Sequence, residues 1–247
     1  MDYTALVPLY DEAPNVPALH AALAAAAVEI GGDWEFLYVD DGSRDGTGAA
    51  LAGLAEADPR VRVIAFPDNR GQCAALHAGF QAARGRIVAT MDGDLQTDPA
   101  DFGWMIRLLE GPEALDAVCG ARLARRDPVL VKVLPSLAFN ALIRAVFGFP
   151  IRDIGCTHRV CRREALAALP YFRGMNSFVP LLLALGGFQT AEVPIPHRPR
   201  AAGRAKFNSP LRFFLPFWNL ARVRLRYGSA RGKPPLRRLE RPKRAEP

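Results

Sequence analysis

Short apolar runs alternate with longer helical patterns through the first half of the chain. Short apolar runs predict five buried strands, at residues 3–8, 34–39, 61–66, 86–91 and 114–120. Apolar spacings of three and four between these runs predict four helices, at residues 13–30, 45–57, 71–83 and 99–110. The alternation predicts an α/β fold in which a mostly parallel central sheet is covered by helices on both faces, a three-layer arrangement.

Polar and acidic residues follow four of the predicted strands directly. They are PLYDE at 8–12, DDGS at 40–43, NRG at 69–71 and DGD at 92–94. The carboxyl ends of parallel strands meet at one edge of a sheet, and ligands of such sheets bind beyond that edge. The sequence therefore predicts that these four segments form the functional site.

Asp92 and Asp94 form the first candidate site. Side chains two residues apart in an extended chain point to the same side, so the two carboxylates are expected to converge on one divalent cation, and Gln96 continues the alternation. Mg²⁺ or Mn²⁺ held there would neutralise charge on a leaving phosphate. The segment lacks the glycine and glutamate of an EF-hand loop, which disfavours calcium, whereas a plain turn stays open.

Asp40 and Asp41 form the second candidate site, in the sequence VDDGSRDGT. Asp, Gly and Ser are what a tight turn and a helix N-cap require, which is one interpretation. The other is that a carboxylate at the end of a strand accepts a hydrogen bond from the imide N–H of a nucleotide base. The residues alone leave both open.

Several common functional classes have no support in the 247 residues. No GxGxxG follows the first strand and no GxxxxGK[ST] occurs, so neither a dinucleotide fold nor a P-loop kinase is indicated. No GxSxG elbow is present, which disfavours a Ser-His-Asp hydrolase. Four cysteines without a CxxC pair disfavour a zinc knuckle or a disulfide scaffold and favour a reducing compartment.

The second half of the chain contains apolar segments and a basic end. Residues 129–149 and 209–227 are amphipathic and are expected to lie in a membrane interface, and packing on the protein body is the alternative for each, above all for the first. The uncharged run 174–191 contains polar residues and a Gly-Gly pair and is interpreted as a buried helix. Residues 198–247 carry 15 Lys and Arg against 2 acidic residues, and the stretch 229–247 is expected to be a disordered tail. A basic, aromatic end indicates a polyanionic partner, and a solvated tail is the alternative.

The motifs VPLYDEAPN, VDDGSRDGT, NRGQCAALHAGFQAARG, DGDLQ and GAR, in this order, resemble those of inverting nucleotide-sugar glycosyltransferases with the GT-A fold. The likeness is greatest to polyprenyl-phosphate glycosyltransferases of the dolichol-phosphate mannose synthase type, and it extends over about residues 3–226. Residues 152–159 resemble the family's Asp-containing segment, with Thr157 and His158 in place of Gly-Phe. Residues 200–207 are similar to its R-x-x-G-x-S-K-Y/F segment, with Ala205 in place of Ser.

The resemblance implies a role for each matching residue. The implied nucleotide-binding set is Pro8, Tyr10, Glu12, Asp40, Asp41, Gln72 and Asp92. Asp92, Asp94 and Gln96 are the implied ligands of Mg²⁺ or Mn²⁺. The implied catalytic set is Asp94, Arg122, Asp153, Arg200 and Lys206, and Lys132 is a further candidate for a phosphate contact.

The acceptor decides which of these residues carry the reaction. A phosphomonoester is already anionic at pH 7 and needs cations rather than a base, which suits Arg122, Arg200 and Lys206. A hydroxyl acceptor on a saccharide, a lipid or a protein needs a base, for which Asp153 is the candidate. The altered Thr157-His158 pair is the main hint for this second reading.

The expected protein is thus an enzyme that moves a sugar from a UDP- or GDP-sugar to a polyprenyl phosphate with inversion. The expected organisation is a glycosyltransferase domain over 1–228 and the tail over 229–247. The acidic N-terminus lacks the features of a signal peptide, so we expect a cytoplasmic protein that is peripheral on the inner membrane face. A membrane-protein partner and a second copy of the chain stay open as partners. A nucleic-acid-binding protein is the third reading, and because it leaves the strand-end carboxylates unexplained, we expect no nucleic-acid partner.

Overall fold

One sheet organises the protein, and the computed structural model describes residues 1–122, 134–198, 215–228 and 236–240. Within these ranges the strands are β1 (Tyr3–Leu9), β2 (Trp34–Asp40), β3 (Val61–Ala65), β4 (Ile87–Thr90), β5 (Ala117–Arg122), β6 (Arg159–Arg162), β7 (Thr190–Ile195) and β8 (Arg237–Arg238). They lie in the order β3-β2-β1-β4-β6-β5-β7-β8. Only β6 runs antiparallel to its two neighbours, β4 and β5, and every other pairing in this order is parallel.

Helices cover both faces of the sheet. They are α1 (Val16–Ile30), α2 (Thr47–Ala57), α3 (Gln72–Ala82), α4 (Asp101–Glu110), α5 (Leu134–Phe147), α6 (Arg163–Ala167), α7 (Val179–Leu185) and α8 (Leu215–Tyr227). Alternate residues of the central strands enter opposite cores: Leu37 packs on the side of α3 and α5–α8, whereas Phe36 and Tyr38 pack on the side of α1, α2 and α4. This period of two confirms the predicted three-layer arrangement.

The predicted elements of the first half agree with β1–β5 and α1–α4 to within a few residues. The strands β6, β7 and β8 were not predicted. β6 has only four residues and carries Arg159 and Arg162 at its ends, so its apolar alternation is too short to identify it. The interpretation of 174–191 as one buried helix is wrong in part: a 3-10 turn (Met175–Phe178) and the buried helix α7 end at the Gly-Gly pair, and β7 begins at Thr190.

The described parts of the two amphipathic segments form α5 and α8, which differ in how they pack, and residues 129–133 and 209–214 lie outside the described residues. In α5 the apolar side chains Ile143 and Phe147 are buried in the core, and its exposed residues between 138 and 147 are three alanines and Arg144. In α8 the side chains of Leu220 and Val223 are buried, while large apolar side chains remain on the outer face. No helix in the described ranges is long and apolar enough to cross a bilayer.

The tail departs from the expectation of disorder at residues 236–240. Leu236 is buried in the core, Arg237 pairs with Glu113, and β8 adds to the outer edge of β7. The physical reason is that an uncovered strand edge offers unpaired backbone groups, which a short passing segment can satisfy. Residues 229–235 and 241–247 lie outside the described residues.

Candidate active site

Six chain segments meet at one edge of the sheet. The parallel strands β1–β4 end there, and β5 also ends there because it runs antiparallel to β6, as β4 does. β6 begins at this edge, where Arg159 lies between Thr90 and Cys119. The edge therefore combines the acidic segments of the first half of the chain with the cationic end of β5 at Arg122.

Hydrogen bonds lock the first two strand-end loops together. The backbone N–H of Asp11 donates to Ser43 Oγ (2.9 Å), and that of Glu12 donates to Thr47 Oγ1 (2.8 Å). In return the backbone N–H of Arg44 donates to Asp11 Oδ1 (2.8 Å). Asp11 has a φ of 48°, an uncommon conformation for a residue with a side chain, and these bonds fix it. The two loops thus form one preorganised unit.

The members of the predicted nucleotide set in these loops are placed differently from one another. Pro8 is buried inside β1, whereas Tyr10 is half-buried at the end of that strand. The buried Glu12 accepts a hydrogen bond from Asn15 Nδ2 (2.5 Å), and the buried Asp40 accepts one from the N–H of Ser43 (3.0 Å). Contact of these residues with a nucleotide stays a prediction.

Asp41 binds the third strand-end loop. Its Oδ1 accepts the backbone N–H groups of Arg70 (2.8 Å) and Gly71 (3.2 Å), and its Oδ2 accepts Asn69 Nδ2 (3.1 Å). Burial raises the pKa of Asp41 above its usual value, although the two backbone donors act in the opposite direction. The structure therefore shows Asp41 as a link between loops, and recognition of a base by its carboxylate stays a prediction.

Gly42 permits this link through its lack of a side chain. Its φ is +70°, and a Cβ at this position would lie 2.6 Å from the backbone nitrogen of Asn69. Only glycine combines this conformation with so close an approach of two backbones. The glycine of the VDDGS motif thus has a structural reason of its own.

The segment 92–96 is a turn and not the extended chain that was expected. β4 ends at Thr90, and Leu95 has a φ of 55°, so the expected alternation of Asp92, Asp94 and Gln96 is wrong as the geometric basis of the motif. Asp94 is instead buried, with its Oδ1 accepting the backbone N–H of Gln96 (3.2 Å). Asp92 is half-buried, and its Oδ1 accepts Gln72 Nε2 (2.6 Å) from the start of α3.

The donor set fits a divalent cation that keeps other ligands besides the protein. No group of three or more His, Cys, Asp or Glu side chains in the described residues is arranged to hold a metal. Mg²⁺ and related hard cations are commonly held by one or two carboxylates together with substrate phosphates. Asp92 and Asp94, with the amide oxygen of Gln96, supply a set of that kind.

Arg122 and Asp153 form a two-point ion pair beside the acidic turn. Arg122 Nε donates to Asp153 Oδ2 (2.6 Å) and its NH2 donates to Asp153 Oδ1 (3.0 Å). Burial by itself would lower the pKa of Arg122, but the hydrogen bonds and charge of Asp153, with a smaller contribution from Asp92, raise it above its usual value. The guanidinium is therefore a permanent cation at this edge of the sheet.

Glu192 fixes the backbone on which Asp153 lies. This buried side chain of β7 accepts the N–H groups of Arg152 (2.8 Å) and Asp153 (2.9 Å). Burial raises the pKa of Glu192, and the two backbone donors oppose this shift. Sequence reasoning missed Glu192, and the available signal was a lone acidic residue in the apolar run TAEVPI.

The segment after β7 begins next to the acidic turn. The backbone N–H of Arg198 donates to Gln96 O (2.8 Å), and its side chain pairs with Asp98 (2.5 Å). The predicted phosphate-binding residues Arg200 and Lys206, like Lys132, lie outside the described residues.

Thr157 and His158, the two departures from the expected motif, lie in the interior. The carbonyl oxygen of Thr157 accepts Thr90 Oγ1 (2.6 Å), and the His158 ring stacks on Phe102 with 4.3 Å between centroids and 6° between planes. Burial lowers the pKa of His158 to about 3, so the ring is neutral. His158 therefore replaces one planar core ring by another, and it is no evidence for a different acceptor.

Comparisons with known proteins identify the family of the chain. The family model for glycosyl transferase family 2 matches residues 4–169. Dodecaprenyl-phosphate galacturonate synthase from Rhizobium johnstonii is 34% identical over 210 residues, which are 84% of this chain and 62% of that protein. Undecaprenyl-phosphate 4-deoxy-4-formamido-L-arabinose transferase from Pectobacterium carotovorum is 35% identical over 205 residues, 82% of this chain and 62% of that protein. The chain thus spans less than two thirds of the length of either relative.

A solved structure supports the fold. Glucosyl-3-phosphoglycerate synthase from Mycobacterium tuberculosis, in complex with Mn²⁺, UDP and glucosyl-3-phosphoglycerate, matches with a TM-score of 0.64 and 20% identity. The match covers 92% of this chain and 80% of that one. This likeness confirms the expected GT-A fold.

Proposed function

Because the chain belongs to glycosyl transferase family 2, we propose that it transfers a sugar from a UDP- or GDP-sugar to a polyprenyl phosphate with inversion at the anomeric carbon. The names of the two curated relatives support a polyprenyl-phosphate acceptor. The Mn²⁺ and UDP in the solved structure support a cation-assisted nucleotide-sugar donor. The proposed site of action is the cytoplasmic face of a membrane.

The observation that carries the proposal is the position of the Arg122–Asp153 pair next to the acidic turn. Asp92 and Arg122 are close enough for their charges to interact, so an anionic donor and an anionic acceptor can meet at one edge of the sheet. The acidic turn suits a diphosphate through a divalent cation, and the guanidinium donors of Arg122 that do not bind Asp153 suit a phosphate directly. The acidic turn is thus suited to the donor diphosphate and Arg122 to the acceptor phosphate, and the two lie next to each other.

In the proposed reaction an oxygen of the acceptor phosphate attacks the anomeric carbon, and the bond from that carbon to the nucleoside diphosphate breaks. Asp92, Asp94 and Gln96 would hold a divalent cation, which offsets charge on the leaving diphosphate. Arg122 orients the acceptor phosphate, and Asp153 holds the plane of the guanidinium in place. Arg200 and Lys206 are proposed as further phosphate contacts.

The ion pair also favours phosphate over hydroxyl as the acceptor. Arg122 donates two side-chain hydrogen bonds to Asp153, and a cation paired in this way favours the ionised carboxylate and so opposes its taking a proton from a hydroxyl. A phosphate acceptor needs no such proton transfer, because its second pKa of about 6 leaves it anionic at pH 7. A hydroxyl acceptor is the second candidate and is an explicit outcome of the experiment below.

The outer face of α8 supports a membrane-bound location. Phe217, Trp218 and Leu225 are 46%, 70% and 88% exposed, which is unusual for large apolar side chains. Arg222 lies between Trp218 and Leu225 along the same face, at helical spacings of four and three. We propose that this face lies in the headgroup region of an anionic bilayer, where basic residues contribute about 1 kcal/mol each.

The test is a transfer assay with the full chain. Release of UDP or GDP is measured from a panel of UDP- and GDP-sugars, with Mn²⁺ or EDTA, and with undecaprenyl phosphate, undecaprenol or a free saccharide as acceptor. We expect release that requires both Mn²⁺ and the lipid phosphate. Release that is equal with undecaprenol or the saccharide would assign a hydroxyl acceptor instead.

A pair of matched variants separates the acidic turn from general loss of charge. Asp94→Asn is expected to lower the rate at least 100-fold, as loss of a cation ligand should. Asp68→Asn removes a carboxylate from an exposed position in another strand-end loop and is expected to leave the rate unchanged. Full activity of the Asp94→Asn variant would contradict the cation site.

A further inference from the structure

Four side chains from distant parts of the sequence form a hydrogen-bond chain that ends on Asp92. Arg159 NH1 donates to Asn176 Oδ1 (2.9 Å), and Asn176 Nδ2 donates to Gln72 Oε1 (3.3 Å). Gln72 Nε2 then donates to Asp92 Oδ1 (2.6 Å). This series of hydrogen bonds runs from β6 through the 3-10 turn and the start of α3 to the acidic turn.

The two ends of this chain determine its direction. A guanidinium has only donors and a carboxylate only acceptors, whereas the amides of Asn176 and Gln72 have one of each and can be reversed. With Arg159 at one end, Asn176 must present its oxygen there and its NH₂ to Gln72. Gln72 must then present its oxygen to Asn176 and its NH₂ to Asp92. Every amide in the chain is therefore fixed in one orientation.

Burial of Arg159 makes the hydrogen bonds of this series energetically important. Arg159 is fully buried, and no carboxylate among the described residues lies within ion-pair distance of it. Among the described residues the guanidinium donates to neutral oxygens: NH1 donates to Asn176 Oδ1 and NH2 to the carbonyl oxygen of Asn176 (2.8 Å), whereas its buried Nε has no partner there. A buried cation is costly unless charge or aligned dipoles compensate it. The aligned amides that lead to Asp92 provide such compensation, and hydrogen bonds in a chain of this kind reinforce one another.

We propose that Arg159 and Asn176 are positioning residues for the donor site. They hold the NH₂ of Gln72 on Asp92 Oδ1 and so turn Asp92 Oδ2 toward the diphosphate and its cation. Neither residue touches donor or acceptor in this proposal. The inference rests on the proposed function, because it takes Asp92 as part of the cation and nucleotide site.

The variant Asn176→Asp tests the direction of the chain with almost no change in size. An aspartate still accepts from Arg159, but it has no NH₂ for Gln72. Gln72 is expected to reverse its amide and face Asp92 with an oxygen, which repels the carboxylate. Loss of support behind a metal ligand commonly costs 10–100-fold in metal affinity, so we expect Mn²⁺ binding to weaken roughly 10–100-fold.

The measurement is calorimetric titration of Mn²⁺ into the full chain with saturating UDP, repeated with GDP, so that binding is read without turnover. Asn219→Asp is the matched control, because Asn219 is also buried and donates from Nδ2 to a backbone oxygen, that of Arg173 (2.8 Å). The control is expected to lower the melting temperature and to leave Mn²⁺ affinity within twofold of the original. A second variant, Arg159→Met, removes the cation without leaving a buried charge unpaired. We expect it to weaken Mn²⁺ binding by several-fold through loss of amide orientation.

The possible outcomes distinguish failure of the proposed function from failure of the positioning role. If the unaltered chain binds no Mn²⁺ with either nucleotide, the proposed function is wrong, and the positioning role is wrong with it. If the unaltered chain binds and Asn176→Asp and Arg159→Met bind equally well, the positioning role alone is overturned. Equal weakening in Asn176→Asp and Asn219→Asp would also overturn it, because a general loss of stability would then explain the effect.

Discussion

Replacement of His158 by phenylalanine tests whether the folded protein holds this histidine as a neutral ring in the core. The His158 ring lies flat on Phe102, and neither ring nitrogen has a hydrogen-bond partner among the described residues. Phenylalanine keeps the planar ring and the stacking while it removes the two unpaired buried nitrogens. The folded protein holds the histidine neutral, because burial lowers the pKa of His158 to about 3.

The magnitude follows from the difference in proton binding between the folded and unfolded chains. The pKa of an unfolded histidine is about 6.5, so between pH 6.5 and 3 the unfolded chain binds a proton that folded His158 does not. The free energy of unfolding therefore falls as pH falls through this window, by about 1.4 kcal/mol per pH unit well inside it. From pH 7.5 to pH 5 the loss due to His158 is about 2 kcal/mol. His158→Phe does not have this loss.

The assay is urea denaturation of both proteins at pH 7.5 and at pH 5. We expect the stability of His158→Phe relative to the original to increase by about 2 kcal/mol between the two pH values. Differences in ring packing cancel, because they are the same at both pH values. His77→Phe is the control for the exchange of residue type, because His77 is partly exposed beside Tyr171. A relative stability that is the same at both pH values would refute the reasoning.

Three shorter predictions concern a loop, the Asp153 backbone and the membrane face. Gly42→Ala should destabilise the fold by about 1–3 kcal/mol in urea denaturation, whereas Gly53→Ala, in open space within α2, should stabilise it by up to about 1 kcal/mol; equal effects would contradict the close backbone approach. Glu192→Ala should lower kcat about 10–100-fold in the transfer assay while Mn²⁺ affinity persists, and an unchanged kcat would show that Asp153 does not need this support. The double variant Trp218→Ser/Leu225→Ser should reduce flotation of the protein with anionic liposomes, and unchanged flotation would exclude this face as the contact.

Local pattern was sufficient for the first half of the fold. The periods of two and 3.6 that identified β1–β5 and α1–α4 are properties of a few consecutive residues, and they are strong there because each element buries one continuous face. The same pattern failed for β6, whose four residues include a fully buried arginine. It also failed for β8, which forms only because β7 leaves an edge for it.

The strand-end motifs were likewise visible in the sequence, and their shared edge followed from the parallel order of the strands. The sequence alone thus determined the fold class, the edge of the sheet at which the strand-end motifs meet, and the place of Asp92 and Asp94 at that edge, whereas their turn conformation came from the structure. These conclusions depend on residue type and spacing over short distances, which a single sequence contains in full.

Only the tertiary structure decided what the individual side chains contact. Asp41 binds a loop 29 residues away, Arg122 pairs with Asp153 across 31 residues, and Gln72 meets Asn176 across 104. His158 differs from the expected motif in sequence, yet it fills the core as a ring. Such pairings arise when separate elements pack together, and no short-range periodicity records which element will lie beside which. The residue types of the candidate site can therefore be read from short stretches of sequence. Their contacts depend on how β6, α3 and the 3-10 turn pack around the acidic turn at 92–96.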